Sequence, residues 1–179
     1  MKNELKNGTI LIAKPFIEDS RFSKTIILIT EHNSKGTMGF IINKHTTKII
    51  SDVSNTNINH TIKNGGPVQL DNLEFIHTEP NIIQGGVPIY DNCYLGGDME
   101  QTFDYIQSNK VNKNNISFFL GYAGWEVDQL NQEIIDGSWV IYKGKIDIFS
   151  SELSWSKILI ETDKEYEVWA HAPANFHLN

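Results

Sequence analysis

A chain of 179 residues, 40% apolar and 21% charged, with nine Phe, six Tyr and four Trp, has the material for one packed core and lacks the composition of a disordered segment. Its net charge of −7 and single arginine, Arg21, argue against direct nucleic-acid binding, where affinity rests on neutralising phosphates and base reading on guanidinium forks. The lone cysteine, Cys93, excludes an intramolecular disulfide and fits a reducing compartment, and no apolar run approaches the ~20 residues that span a bilayer, so the expectation is a single cytoplasmic domain, 1–179, without membrane contact.

From the N-terminus, the only early apolar stretch is Ile10 to Ala13, too short for a signal-peptide core. Thr9 to Ala13 predicts a first strand, stopped at Lys14-Pro15 because proline removes a ladder donor. Thr25-Ile26-Ile27-Leu28-Ile29-Thr30 is a run of the kind buried on both faces, which predicts a central strand. Ser34-Lys35-Gly36 is a turn signal, and the chain returns as a strand over Thr37 to Ile42, forming a hairpin with Glu31, His32 and Asn33 at its tip. Ile49 to Val53 predicts a short helix, and the Asn-rich stretch from Asn55 to Asn64 an exposed loop. Val68 to Leu70, Glu74 to Thr78 and Val87 to Leu95 are further strands between Gly, Pro and Asn punctuation. Cys93, flanked by apolar residues, reads as a buried structural thiol rather than a nucleophile.

Asp98-Met99-Glu100-Gln101 has capping-box spacing and opens a helix whose Met99, Phe103 and Ile106 share one face. Lys110 and Lys113, among asparagines, read as a solvated turn. Ile116 to Leu120 is a strand, and a helix follows from Trp125 to Ile135, with Val127, Leu130 and Ile134 inward and Gly137 placed to end it. Trp139 to Tyr142 is a strand, and Glu152 to Ile160 a last helix with Trp155, Ile158 and Leu159 as its stripe. Strands with irregularly inserted helices give an α+β fold.

Candidate site residues fall in two segments. Glu31, His32, Asn33, Asn43 and Lys44 set an acid, an imidazole, amides and an amine around one hairpin; a carboxylate beside a histidine suits general base work near neutral pH, while the same residues also serve to make turns and satisfy backbone groups. In Gly121-Tyr122-Ala123-Gly124-Trp125, a strand end turns through small residues into the next helix, where Tyr122 and Trp125 cap the core or line a pocket mouth. Gln129 falls off the Leu130 and Ile134 stripe and is free to meet a ligand. Three diglycines, at 65–66, 85–86 and 96–97, match neither the Rossmann nor the P-loop fingerprint and read as structural turns. No His pair at i, i+4, no C-x-x-C and no G-x-S-x-G elbow is present, so neither a metal, nor a cofactor, nor a catalytic residue is assigned.

Together these segments give the chain a resemblance to the AlgH-like (YqgE) family of bacterial cytoplasmic proteins. It is carried by Leu11-Ile12-Ala13-x-Pro15, Asp19-(x)2-Phe22, Glu31-His32-Asn33 to Asn43-Lys44, Gly65-Gly66-Pro67-Val68, and Gly121-Tyr122-Ala123-Gly124-Trp125 with Gln129-Leu130. The resemblance implies a mixed, bifurcated β-sheet folded into a pseudo-barrel with flanking helices, and it carries the label of transcriptional regulator without catalytic residues or cofactor. Lys24, His45, Asp128 and Asn131 depart from its usual arginine, proline, glycine and glutamate. The leading expectation is a non-enzymatic binding or regulatory protein that acts on transcription indirectly, through an unknown protein partner or small molecule. Two alternatives stand beside it: a small-molecule enzyme with His32 as acid or base, which requires Glu31, His32 and Lys44 in one pocket, and a direct DNA-binding regulator, which the acidic composition disfavours.

Overall fold

A computed structural model of the chain describes residues 5–170. Among the described residues ten strands form one mixed sheet: β1 (Ile10–Ala13), β2 (Ile26–Asn33), β3 (Gly36–Ile41), β4 (His45–Ile49), β5 (Thr61–Asn64), β6 (Val68–His77), β7 (Val87–Tyr90), β8 (Cys93–Leu95), β9 (Ile116–Trp125) and β10 (Trp139–Tyr142). Helices α1 (Met99–Gln107), α2 (Gln129–Ile135), α3 (Trp155–Thr162) and α4 (Glu167–Ala170) flank it. The main path runs β10-β1-β2-β3-β9-β6-β8-β7 and does not close on itself, so the barrel is only a pseudo-barrel. Strand β9 is where the sheet divides. One of its edges pairs antiparallel with β6, while the other is shared between β5, parallel at Phe118 to Leu120, and β3, antiparallel at Ala123 to Trp125. Among the described residues no helix is long and apolar enough to cross a membrane.

The β-branched run of β2 is buried on both faces, as its lack of alternation predicts. On one side Ile12, Ile26, Leu28 and Phe40 pack under Trp155, Ile158 and Leu159 of α3. On the other, Leu11, Ile27, Ile29 and Ile41 pack beneath Leu130 of α2 with Trp125 and Trp139. A third cluster joins Phe75 and Phe118 to Phe103 and Ile106 of α1. The side chain of Asp98 caps α1 by accepting from the Gln101 N–H at 2.9 Å. The reciprocal half of the capping box is absent, because the Asp98 N–H donates instead to the Gln84 carbonyl and the buried Gln101 Oε1 is left without a partner. Gly137 (φ +85°) ends α2 as predicted, with the Ser138 N–H returning to the Glu133 carbonyl.

Several elements differ from the sequence reading. Glu31, His32 and Asn33 continue β2 and pair with Met38, Thr37 and Gly36, which leaves only Ser34 and Lys35 as the hairpin tip. Residues 55–64 are not all loop: Ile58, Ile62 and Lys63 are buried, and β5 pairs with both β4 and β9. β4 itself has no alternation to reveal it. The two strands predicted between Val68 and Thr78 are one bulged strand, and Val87 to Leu95 is a hairpin of two. β9 runs on through Trp125, because β3 and β6 supply ladder partners that outweigh the poor strand propensity of its glycines. Helix α2 therefore starts only at Gln129, and Val127, which precedes it, is 54% exposed rather than inward.

The fold disfavours the charged form of two histidines. The backbone N–H of Glu79 can only donate, so His77 Nδ1 accepts it at 3.0 Å; the Gly96 carbonyl can only accept, so Nε2 donates to it at 3.0 Å. Both ring nitrogens of this fully buried residue are thus committed to one neutral tautomer. Burial holds the pKa of His77 below its ordinary value of 6.5 and does the same for His60, assisted there by Lys113. A histidine with a depressed folded pKa contributes stability that is complete above 6.5 and is lost as pH falls through the folded value. The melting temperature is expected to hold near pH 7.5 and drop progressively below about 6.5, with the His77 imidazole titrating by NMR below its ordinary value. An imidazole titrating at or above the ordinary value contradicts this assignment.

Candidate functional site

The tip of the β2–β3 hairpin folds against the end of β9. Gly36 adopts φ +134° beside the Trp125 carbonyl, where a Cβ has no room. Asn33 organises the turn, accepting the Lys35 N–H at 2.7 Å and donating to Glu31 Oε1 at 2.5 Å. Across from it, β9 delivers Tyr122, Gly124 and Trp125, and the chain passes through Asp128 in the left-handed conformation (φ +63°) into α2. That is the position where the resemblance expects glycine; aspartate is among the non-glycine residues that tolerate it best.

Between the two segments lies an open groove of about 660 Å³, lined by Glu31, Asn33, Tyr122, Trp125, Glu126 and Gln129 among others. Val68 and Gly124 also line a second hollow beside it, of about 220 Å³, against Phe22, Trp139 and the Arg21–Asp19 pair. Glu133 fixes the wall between them. Its Oε2 accepts the indole N–H groups of Trp125 at 2.9 Å and Trp139 at 2.7 Å, while Oε1 accepts from Gln129 Nε2 at 2.9 Å. Gln129 Oε1 in turn accepts the Glu126 N–H at 2.9 Å. Gln129 is therefore tied into the start of α2 rather than free, although it lines both hollows. Arg21 donates through Nε and Nη2 to Asp19, and this hydrogen-bonded pairing holds the Asp19 carboxyl below its usual range.

His32, Asn43 and Lys44 do not join this groove. His32, next to Glu31 in a strand and so on the opposite face, shares a 2.7 Å hydrogen bond between Nδ1 and Thr37 Oγ1, and its N–H donates to Asn7 Oδ1. Asn43 is structural: Oδ1 accepts the Ile26 N–H at 2.8 Å and Nδ2 donates to the Lys24 carbonyl at 3.0 Å, fixing the start of β2. Lys44 follows the far end of β3, where burial and then neighbouring Lys24 lower its ammonium pKa. The three side chains that an acid–base site requires together are thus dispersed. Cys93 is buried, and its thiol is pushed up to about 12 by desolvation. Among the described residues no three His, Cys, Asp or Glu side chains form a group able to hold a metal; His171 and His177 lie outside those residues.

Sequence reasoning missed Glu133, Phe22 and Trp139 as parts of this region. Glu133 stands four residues after Gln129, so both face the same side of α2, a signal that was available. The indole donors that select Glu133 come from two strands, and no local pattern announces them.

The AlgH-like family model matches residues 10–167. The UPF0301 protein of Chlorobium limicola is 36% identical over 176 residues, covering 96% of this chain and 94% of that protein. The UPF0301 protein of Cytophaga hutchinsonii is 36% identical over 181 residues, covering 98% and 100%. Among solved structures, the AlgH protein of Pseudomonas aeruginosa superposes with a TM-score of 0.70 at 24% identity, covering 97% of this chain and 99% of that one. A protein of Corynebacterium diphtheriae gives 0.73 at 18% identity, covering 96% and 95%. Both share the fold.

Proposed function

The chain belongs to the AlgH-like family, and on that premise we propose that it is a non-enzymatic binding or regulatory protein whose working surface is the groove between the β2–β3 hairpin and the β9–α2 junction. The observation that carries this reading is the wall of the groove. Trp125 is immobilised by Glu133, and Tyr122, Asn33 and Gln129 converge on the same hollow from segments far apart in sequence. Preorganised aromatic groups with nearby amides suit recognition, because little side-chain entropy remains to be lost on binding. The dispersal of Glu31, His32 and Lys44 supports binding over acid–base chemistry. The chain's net charge of −7 favours an indirect effect on transcription through a partner over direct contact with DNA.

The test uses Gly124, which is exposed and lines both hollows; a Cβ there meets only the Tyr122 ring, at 3.2 Å and beyond. Gly124→Leu is expected to plug the groove while leaving the fold intact. Wild type and variant are compared by thermal shift against nucleoside phosphates, carboxylic acids, short peptides and duplex DNA. A ligand at 100 times its Kd adds about 2.7 kcal/mol, a shift of several degrees. A shift present in wild type and lost in Gly124→Leu supports the reading. A shift that survives the plug, or one from duplex DNA, refutes it.

A further inference from the structure

Resting on the groove as the binding surface, we infer that its occupant is an extended, basic peptide segment of a partner protein, with Lys or Arg side chains set among apolar ones. The two hollows lie side by side, sharing Val68, Gly124, Trp125 and Gln129 in their linings, and the larger is open to solvent. A small ligand is ordinarily held by burying ~70–90% of its surface in a concave pocket. The open groove does not enclose one, whereas an extended peptide can lie across it and present side chains to it and to the smaller hollow beside it.

The charge of this surface selects the peptide. Carboxylates line it from separate elements: Glu18, Asp19, Glu31, Glu126 and Glu133. Its cations are Arg21, spent on Asp19 in a 2.6 Å salt bridge, and Lys35 at the hairpin tip. Glu133 lies against the aromatic wall with its oxygens held by neutral donors alone, so its charge meets no cation. Phe22, Trp125, Tyr122 and Val68 give the floor an apolar and aromatic character between these charges. Anionic rim groups steer a cationic partner and set its register, and aromatic groups in the floor provide the anchoring contact. An acidic peptide or a nucleic acid meets mostly like charge there, five carboxylates against Arg21 and Lys35.

The probes are a fluorescent ten-residue peptide carrying Lys and Arg among Leu and Phe, its counterpart with Glu at every basic position, and spermine as a small polycation. Binding is followed by fluorescence polarisation at low and at physiological salt. Two triple variants of equal net charge are compared. One reverses this surface, Glu18→Lys, Glu31→Lys and Glu126→Lys; the other reverses Asp71→Lys, Asp104→Lys and Glu152→Lys, exposed residues outside it. The basic peptide is expected to bind wild type and the outside variant alike, to weaken with salt, and to lose about tenfold or more in affinity for the first variant. Equal loss in both variants reduces the effect to net charge and overturns the inference. Spermine binding as tightly as the peptide overturns it in favour of a small polycation. Binding of the acidic peptide, or of an uncharged ligand from the thermal-shift panel, in a manner blocked by Gly124→Leu overturns the basic partner while leaving the groove as the binding surface. If no probe and no panel member engages the groove, both readings fall.

Discussion

Gly66→Ala is expected to destabilise the protein by about 3 kcal/mol or more. Gly66 has φ +150°, and a Cβ there runs into the Tyr122 carbonyl carbon and oxygen and the Ala123 nitrogen, all backbone atoms of β9. No rotamer relieves such a clash; the strands themselves must separate. The segment is pinned where it lies. The Gly65 N–H donates to the Leu120 carbonyl at 2.8 Å, the Gly65 carbonyl accepts from the Ile41 N–H at 2.8 Å, and the Gly66 N–H donates to Asn64 Oδ1 at 3.1 Å. Gly121 (φ +70°) faces it, equally short of space beside the Gly66 carbonyl. This is the point at which β9 passes from its β5 partner to its β3 partner, so the substitution attacks the bifurcation of the sheet. Gly85→Ala is the control. It shares a positive φ of +81° but has only the Gly97 Cα near, at 3.8 Å, and is expected to cost about 1 kcal/mol from backbone strain alone. Urea denaturation of both variants compares them directly, and similar losses would show that conformation rather than close approach governs Gly66.

The same contrast explains how far the sequence could be read. Elements fixed by local chemistry were legible. The unbroken apolar run of β2, the Asp98 cap, Gly137 after α2, the strand at Trp139 to Tyr142 and the Trp155, Ile158, Leu159 stripe each carry their cause within a few residues. Elements fixed by distant partners were not. Gly121 and Gly124 argue for a turn in isolation, yet β9 passes through them because β3 and β6 lie alongside. The short β5 lies in an Asn-rich stretch, and Ile62 and Lys63 are buried only through pairing with β4 and the parallel contact with β9. The diglycine at 65–66 by itself suggests a turn, whereas its constraint is a backbone from the other half of the chain. For the candidate site, composition marked Glu31, Asn33, Tyr122, Trp125 and Gln129, which line the groove, but gave His32, Asn43 and Lys44 the same weight. Strand alternation separates His32 from Glu31, and the register of β2 turns Asn43 to structural use.

Glu133→Ala is expected to cost about 2–5 kcal/mol and to loosen the wall of the groove, because three donors lose their acceptor together. Trp125 and Trp139 are only 5% and 2% exposed, so water does not readily replace the carboxylate at their indole N–H groups. An orphaned buried donor costs ~1–3 kcal/mol, which sets the scale for the pair. Gln129, more exposed, finds water and adds little. Glu133→Gln separates loss of the acceptor from loss of the charge. Its amide oxygen can still accept from the indoles, but its NH₂ then faces the Gln129 NH₂, whose own oxygen is committed to the Glu126 N–H. A smaller cost of about 1–2 kcal/mol is expected. The coupling is measured by repeating Glu133→Ala in a Trp125→Phe, Trp139→Phe background, where neither indole donor exists. Most of the penalty should vanish there, since removing both partners of a buried hydrogen bond is cheaper than removing one. If the full cost persists, Glu133 stabilises α2 by another route, and the immobilised aromatic wall on which groove recognition rests loses its physical basis.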